Sequence, residues 1–349
     1  MSVSLKRLLT MLTALAFVAA ACGGSDDSGA EGSLPDNCGD EDVICVGLVT
    51  DTGKVDDKSF NQSAWEGLQA AAEADDRMKI EFIETIAAAD YGNNIGSFTD
   101  RNADMIVTVG FGLGEATGIA ADENPETTFI GVDQFQGEVR DNVTGIIFPE
   151  DQAGFMAGAL AGLMTTSNTV GAVLGTDLVP PVVAFKEGFE NGAKYVNAEV
   201  NLISTYHPGG LDTAFGDPAW GADTARQAIN NGADVIFGAG GATGNGALTE
   251  VAKEDGAFCI GVDTDQWETV PEAQPCLITS AMKLIDKGVT ELVAQGADGT
   301  IVAGNFIGDV GLAPYHDFED TVPDEVKTTV DQITADLLSG SLETGYVPG

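Results

Sequence analysis

Three apolar runs of this chain finish in an aspartate: Asp51 after VICVGLVT, Asp133 in FIGVD and Asp263 in CIGVD. A carboxylate there can accept from hydroxyl or N–H donors, and such charge-assisted bonds are worth roughly 1.5–3 kcal/mol each. Beside the first stands GLVTDTGKVDDKSFNQSAWEGL (47–68), which sets Phe60 next to Asn61 where a helix should begin. Lys283 in AMKLIDKG follows another run, and ADVIFGAGGATGNG ends its run in glycines around Gly240, where backbone groups can approach a ligand closely. Phe185 in VVAFKEGFENGAK belongs to the other half of the chain and could face Phe60 across a flat ring. Stacking of that kind contributes about 1–3 kcal/mol per base. One strand-end aspartate is as readily a turn or cap residue, and Phe185 alone could be core. Three aspartates from separated regions, joined by a Phe and a Lys, favour convergence on a cleft.

Charge narrows the ligand and the partners. The chain has 349 residues with 55 acidic against 15 basic, a net charge of −40, so it repels nucleic acid and disfavours anionic lipid heads. An anionic ligand would need arginines or a phosphate cradle. No G-x-x-x-x-G-K-[ST] or complete G-x-G-x-x-G occurs; Gly110, Gly112, Glu115 and Gly238, Gly240, Thr243 are near misses. The two histidines, His207 and His316, have no partner motif, and no spacing suggests a zinc site. No metal or cofactor is expected. The carboxylates could serve a secreted nucleoside hydrolase, but no G-x-S-x-G elbow or histidine-paired nucleophile accompanies them. The reading is a binding protein, not an enzyme.

The elements that must position these residues are legible. Ten Val/Ile-rich runs, continuous rather than alternating, fall at 43–50, 79–85, 104–110, 127–133, 143–148, 169–175, 199–205, 233–240, 257–263 and 276–280. Such runs read as strands buried on both faces, and the Ala-rich helical segments between them imply parallel sheets with right-handed crossovers. The length exceeds what one core usually serves, so two α/β lobes are expected. Ser59 and Gln62 form an S-x-x-Q pattern that predicts a capping box with Ser59 as N-cap. Trp65, Leu68 and Ala72 then share the core face, leaving Phe60 free to point above the strand ends, where open α/β sheets bind ligands.

Lys6 and Arg7 precede the apolar stretch 8–21, the charged and apolar regions of a secretory signal. Ala19–Ala21 lead into Cys22, which resembles a bacterial lipoprotein signal, though Ala19 stands where leucine is usual. Residues 1–21 read as the signal peptide, Cys22 as the lipidated N-terminus and 22–42 as a flexible tether. Losing both early cations leaves 13 basic against 55 acidic residues, a net charge of −42. The even count of remaining cysteines suits two disulfides, with Cys38–Cys45 and Cys259–Cys276 favoured over the two other pairings.

The segment 47–68, followed by DMIVTVGF, NPETTFIGVDQF, GALAGLM, FKEGFENGAK, GADVIFGAGGATGNG, GVDTDQW and ITSAMKLID, resembles the BMP family of purine-nucleoside-receptor-type lipoproteins that serve ABC importers. The likeness spans about residues 43–320. It implies the type I periplasmic-binding-protein fold, two doubly wound parallel-sheet lobes joined by a three-strand hinge. The lobes would be 43–146 with about 281–300, and 147–280 with about 301–349. By the same resemblance, Asp51 and Asn61 bond a base or sugar, Phe60 and Phe185 sandwich the base, and Asp133 and Gly240 add bonds from their strand ends. Asp263 and Lys283 would together hold ribose hydroxyls. The implied partners are a nucleoside, an ABC permease with its ATPase, and the membrane through the lipid anchor; the receptor would sit, as a monomer, on the outer face of the cell membrane. Some relatives bind other flat ligands, riboflavin included, and a sensor lobe shares the architecture. YHPGGLDTAFGDPAWG (206–221) is longer than the family's usual segment, so the second lobe's rim should differ.

Overall fold

The structure, a computed structural model, describes residues 33–35, 37–40 and 42–348. The signal segment and Cys22 lie outside the described residues. Among the described residues, twelve strands form two six-stranded sheets. The first sheet holds β1 (Ile44–Thr52), β2 (Met78–Thr85), β3 (Met105–Val109), β4 (Thr128–Val132), β5 (Val143–Ile147) and β11 (Gly304–Ile307), in the order β11-β5-β4-β3-β1-β2. The second holds β6 (Thr169–Leu174), β7 (Asn201–Tyr206), β8 (Val235–Ala239), β9 (Phe258–Asp263), β10 (Leu277–Lys283) and β12 (Val310–Leu312), in the order β12-β10-β9-β8-β6-β7. Every pairing is parallel except that of β10 with β12. Both sheets are therefore doubly wound with the same strand order, and each has a switch point, at β1/β3 and at β6/β8, where a crevice opens beyond the carboxyl ends. This is the type I periplasmic-binding-protein architecture.

The burial pattern explains the apolar runs. β3, β6 and β8 are buried at every position, because helices cover both faces of each sheet. The helix Phe60–Ala74 turns Trp65 and Leu68 inward as its spacing predicts, with Ala72 half-buried beside them. In the second lobe, helices Glu150–Met164 and Pro180–Val196 lie against each other with almost no gap. A Cβ at Gly158 would come within 1.9 Å of the Phe189 carbonyl oxygen, and one at Gly192 within 2.0 Å of that of Phe155. Only glycine permits that approach, and the contact fixes Phe185 on the cleft side of its helix.

The chain crosses between lobes at 148–149, at Leu284 and at 308–309. Two details differ from the expected boundaries. Lys283 ends a strand of the second sheet, so the returning segment of the first lobe starts at Ile285, whose helix packs on Phe60–Ala74. That segment also runs on to Ile307, because Gly304–Ile307 adds an edge strand that its short, mixed sequence did not announce. The tether also ends early. Leu34 is buried, its N–H donates to Glu81 Oε2 at 2.6 Å, and Arg101 holds the same oxygen at 2.6 Å. Cys38 is joined to Cys45, and Cys259 to Cys276. Glycine and serine content suggested a loose segment to residue 42; one buried leucine and a disulfide pin its last part to the first lobe.

Candidate functional site

A cavity of about 550 Å³ lies between the carboxyl ends of the two sheets. All eight residues singled out from the sequence line it: Asp51, Phe60, Asn61, Asp133, Phe185, Gly240, Asp263 and Lys283. The size is ordinary for a small-molecule site.

Its floor is built around Lys283, which is 2 % exposed. The ammonium donates to Asp133 Oδ2 at 2.6 Å and lies 3.5 Å from Glu150 Oε1. It also sits 4.7 Å from the Phe60 ring centroid, 5.4 Å from that of Phe148 and 5.8 Å from that of Phe185, within cation–π range. Burial alone pushes the Lys283 pKa down, but the carboxylates of Asp133, Glu150 and Asp263 outweigh it and leave the pKa well above the usual lysine range. The lysine stays charged. Burial pushes Glu150 the other way, above the usual carboxylate range, despite Lys283. Asp133 Oδ1 is buried with no partner among the described residues. An orphan acceptor of that kind is costly unless a donor arrives.

Asp133 and Asp263 both adopt left-handed backbone, φ 60° and 65°, which aspartate tolerates better than most residues. Their partners differ from one another. Asp263 does not bond Lys283; its Oδ2 accepts from the Ser59 hydroxyl at 2.7 Å. Burial raises the Asp263 pKa against the opposing pull of Lys283 and Ser59. Ser59 holds the predicted N-cap position, but its hydroxyl makes no capping bond. Asp57 accepts from the N–H groups of Ser59, Asn61 and Gln62 at 2.9, 2.9 and 3.1 Å, so the aspartate caps the helix and frees the serine hydroxyl for the other lobe.

Asp51 and Gly110 flank the switch point of the first sheet. Asp51 Oδ1 accepts from Thr52 N–H at 2.7 Å and from the Tyr91 hydroxyl, while burial raises its pKa. Gly110 has φ 110°, and a Cβ there would come within 2.2 Å of Asp51 Oδ2. Asn61 is largely spent on its own loop: Oδ1 accepts from Asp51 N–H at 3.0 Å and Nδ2 donates to the Lys54 carbonyl at 3.3 Å. That leaves one N–H for the cavity. Phe185 is 3 % exposed and packs on Phe237, 6.0 Å between centroids, so it is core and cavity wall at once. The Gly240 carbonyl accepts from Thr243 and Gly244 N–H at 3.1 and 3.3 Å, opening the helix Gly241–Val251.

Residues 44–313 match the family model described as Bmp, ABC transporter substrate-binding protein PnrA-like. The chain belongs to the Bmp family. The CD4+ T-cell-stimulating antigen of Listeria innocua is 32% identical over 97% of this chain and 98% of its own length. The ABC transporter nucleoside-binding protein BmpA of Lactococcus lactis is 28% identical over 94% of this chain and 95% of its own. A crystal structure of an ABC transporter solute-binding protein from Aeropyrum pernix superposes with a TM-score of 0.78 at 24% identity, covering 88% and 94% of the two chains. A Bmp-family substrate-binding protein works outside the cytoplasm beside its transporter, and the Lactococcus lactis and Aeropyrum pernix proteins are binding proteins of ABC transporters rather than enzymes. Among the described residues, no helix is long and apolar enough to cross a membrane.

The Bmp lobes are shut on each other by residues that the sequence did not flag. Asn245 Nδ2 donates to the Asp57 carbonyl at 2.8 Å, and the Lys58 carbonyl accepts from Gln266 Nε2 at 3.1 Å and Thr269 Oγ1 at 2.8 Å. Lys58 has φ 64°, a strained backbone held by those bonds. The polar residues following GVD in GVDTDQW, and the asparagine within GATGNG, were the available signals, but neither tells which lobe its side chain will reach.

Proposed function

We propose that this protein captures a nucleoside, a purine nucleoside by preference, in the interlobe cavity and delivers it to an ABC permease and ATPase, tethered to the membrane by a lipid on Cys22. The observation that carries the reading is the floor of the cavity. There an unpartnered Asp133 Oδ1 and a charged Lys283 lie beneath Phe60 and Phe185, offering acceptor, donor and ring contacts together. Hydroxyls of a ribose suit the first two, and a flat base suits the rings. The name of the Lactococcus lactis relative supports the same ligand class. Five aspartates, Asp51, Asp56, Asp57, Asp133 and Asp263, line the cavity against three lysines, Lys54, Lys58 and Lys283, with no arginine, so a phosphorylated ligand fits poorly.

Calorimetry with adenosine, guanosine, inosine and the free bases tests this. Saturable binding of at least one nucleoside, tighter than of its base, is expected. No heat with any ring-bearing ligand would reject the reading. Inosine incubated with the protein should be recovered intact, because a receptor returns its ligand unchanged.

A further inference from the structure

The segment that follows the edge strand β7 reaches the cavity. After β7 the chain forms the stretch 207–217, with a single short helical turn at Leu211–Ala214. His207 is buried and holds its base: Nδ1 accepts from Gly209 N–H at 2.9 Å, Nε2 lies 3.6 Å from Asp217 Oδ2, and the ring meets Trp220 edge-on with centroids 4.6 Å apart. The tip crosses to the other lobe. The Leu211 carbonyl accepts from Thr52 Oγ1 at 2.9 Å, and Asp212 Oδ1 accepts from Ala88 N–H at 3.0 Å. Ala88 follows β2 and the stretch follows β7, the edge strands farthest from the three crossovers. The bridge therefore spans the side of the cleft that the crossovers leave open. From the same stretch, Phe215 lines the cavity, its ring lying where a Cβ on Gly175 would come within 2.4 Å.

The geometry points to residues 207–217 as the element that sets both ring-size selection and ligand residence: Phe215 adds an aromatic wall beside those of Phe60, Phe111 and Phe185, and Leu211 with Asp212 latch the mouth using protein groups alone. This rests on the nucleoside reading for the ligand it names. Phe215 fills space beside Gly175 and Gly241 that a wider ring system would need. The latch bonds form without any ligand atom, so breaking them should speed release without changing which ring is preferred.

The test uses the full chain with inosine and riboflavin. Phe215→Ala should lower the inosine-over-riboflavin affinity ratio tenfold or more. Asp212→Ala should raise the inosine dissociation rate about tenfold at an unchanged ratio, and Asp212→Asn, which keeps an acceptor for Ala88, should stay near wild type. An unaltered ratio in the first variant, or an unaltered dissociation rate in the second, would overturn the proposal. Should the wild type bind neither ligand, the nucleoside reading fails on its own, and the empty chain still decides the latch. Spin labels at the exposed positions Ile119 and Leu338, one per lobe, should then show a wider distance distribution in Asp212→Ala, and an identical one would refute the latch.

Discussion

The two lobes carry the same device in different company. Each carries Gly-Val-Asp at the end of its fourth strand in chain order, each aspartate takes a left-handed backbone, and each is met by a group from the opposite lobe. Asp133 of the first lobe receives the Lys283 ammonium; Asp263 of the second receives only the Ser59 hydroxyl. Lys283 adjoins a crossover, whereas Ser59 heads a helix on a loop that depends on closure for its contacts. Identical local sequence thus gives identical backbone, while the charge of the incoming partner separates a structural ion pair from a weaker clasp.

Breaking the ion pair should have the largest effect. Asp133→Ala leaves a buried ammonium facing Glu150 at 3.5 Å as its remaining close carboxylate, and should cost about 3–5 kcal/mol of stability, read as a lowered urea midpoint at constant m. Removing the Cys259–Cys276 bridge by a double alanine change should cost about 2–4 kcal/mol, and removing Cys38–Cys45, which closes a shorter loop, should cost less. Equal losses for the two bridges would show that loop length is not what matters here.

Asp263→Ala should behave unlike Asp133→Ala. Its carboxyl is buried and its pKa raised, so its loss relieves a desolvation cost and leaves the melting temperature of the empty protein nearly unchanged. Nucleoside affinity should fall tenfold or more, about 1.4 kcal/mol, and Phe60→Ala should do the same. If Phe60→Ala instead unfolds the protein without touching affinity, the ring belongs to the core.

The smallest effect is that of pH. Burial pushes Asp57 up to about 7 against its three N–H donors, although part of its surface still faces the cavity. A raised carboxyl pKa favours the folded form where that group is protonated, so its contribution is present at low pH and lost as pH rises through about 7. The melting temperature should fall between pH 5.5 and 8, and less steeply in Asp57→Asn. A parallel decline in both would assign the slope to the chain's acidic surface.

The same contrast explains what the sequence could and could not reveal. Ten strands were legible because burial on both faces demands unbroken apolar runs. Gly304–Ile307 and Val310–Leu312 were not, since GNFI and VGL become strands only through their neighbours. Residues 51, 60, 133, 185, 240, 263 and 283 were readable as a set because strand order carries their carboxyl ends to one crevice. The partnerships were not. Ser59 fits a capping pattern perfectly well, yet Asp57 two residues earlier reaches the same N–H groups, and the pattern cannot see Asp263 waiting across the cleft. Asn61 looked outward by type, but the loop 51–54 consumes most of its amide.

The most direct measurement is a crystal structure of the full chain grown with inosine. The account predicts the base between Phe60 and Phe185, with ribose hydroxyls on Asp133 Oδ1, Asp263 and Lys283. A ligand bound outside this cavity, or one seated in it with the sugar turned away from all three of those groups, would contradict it.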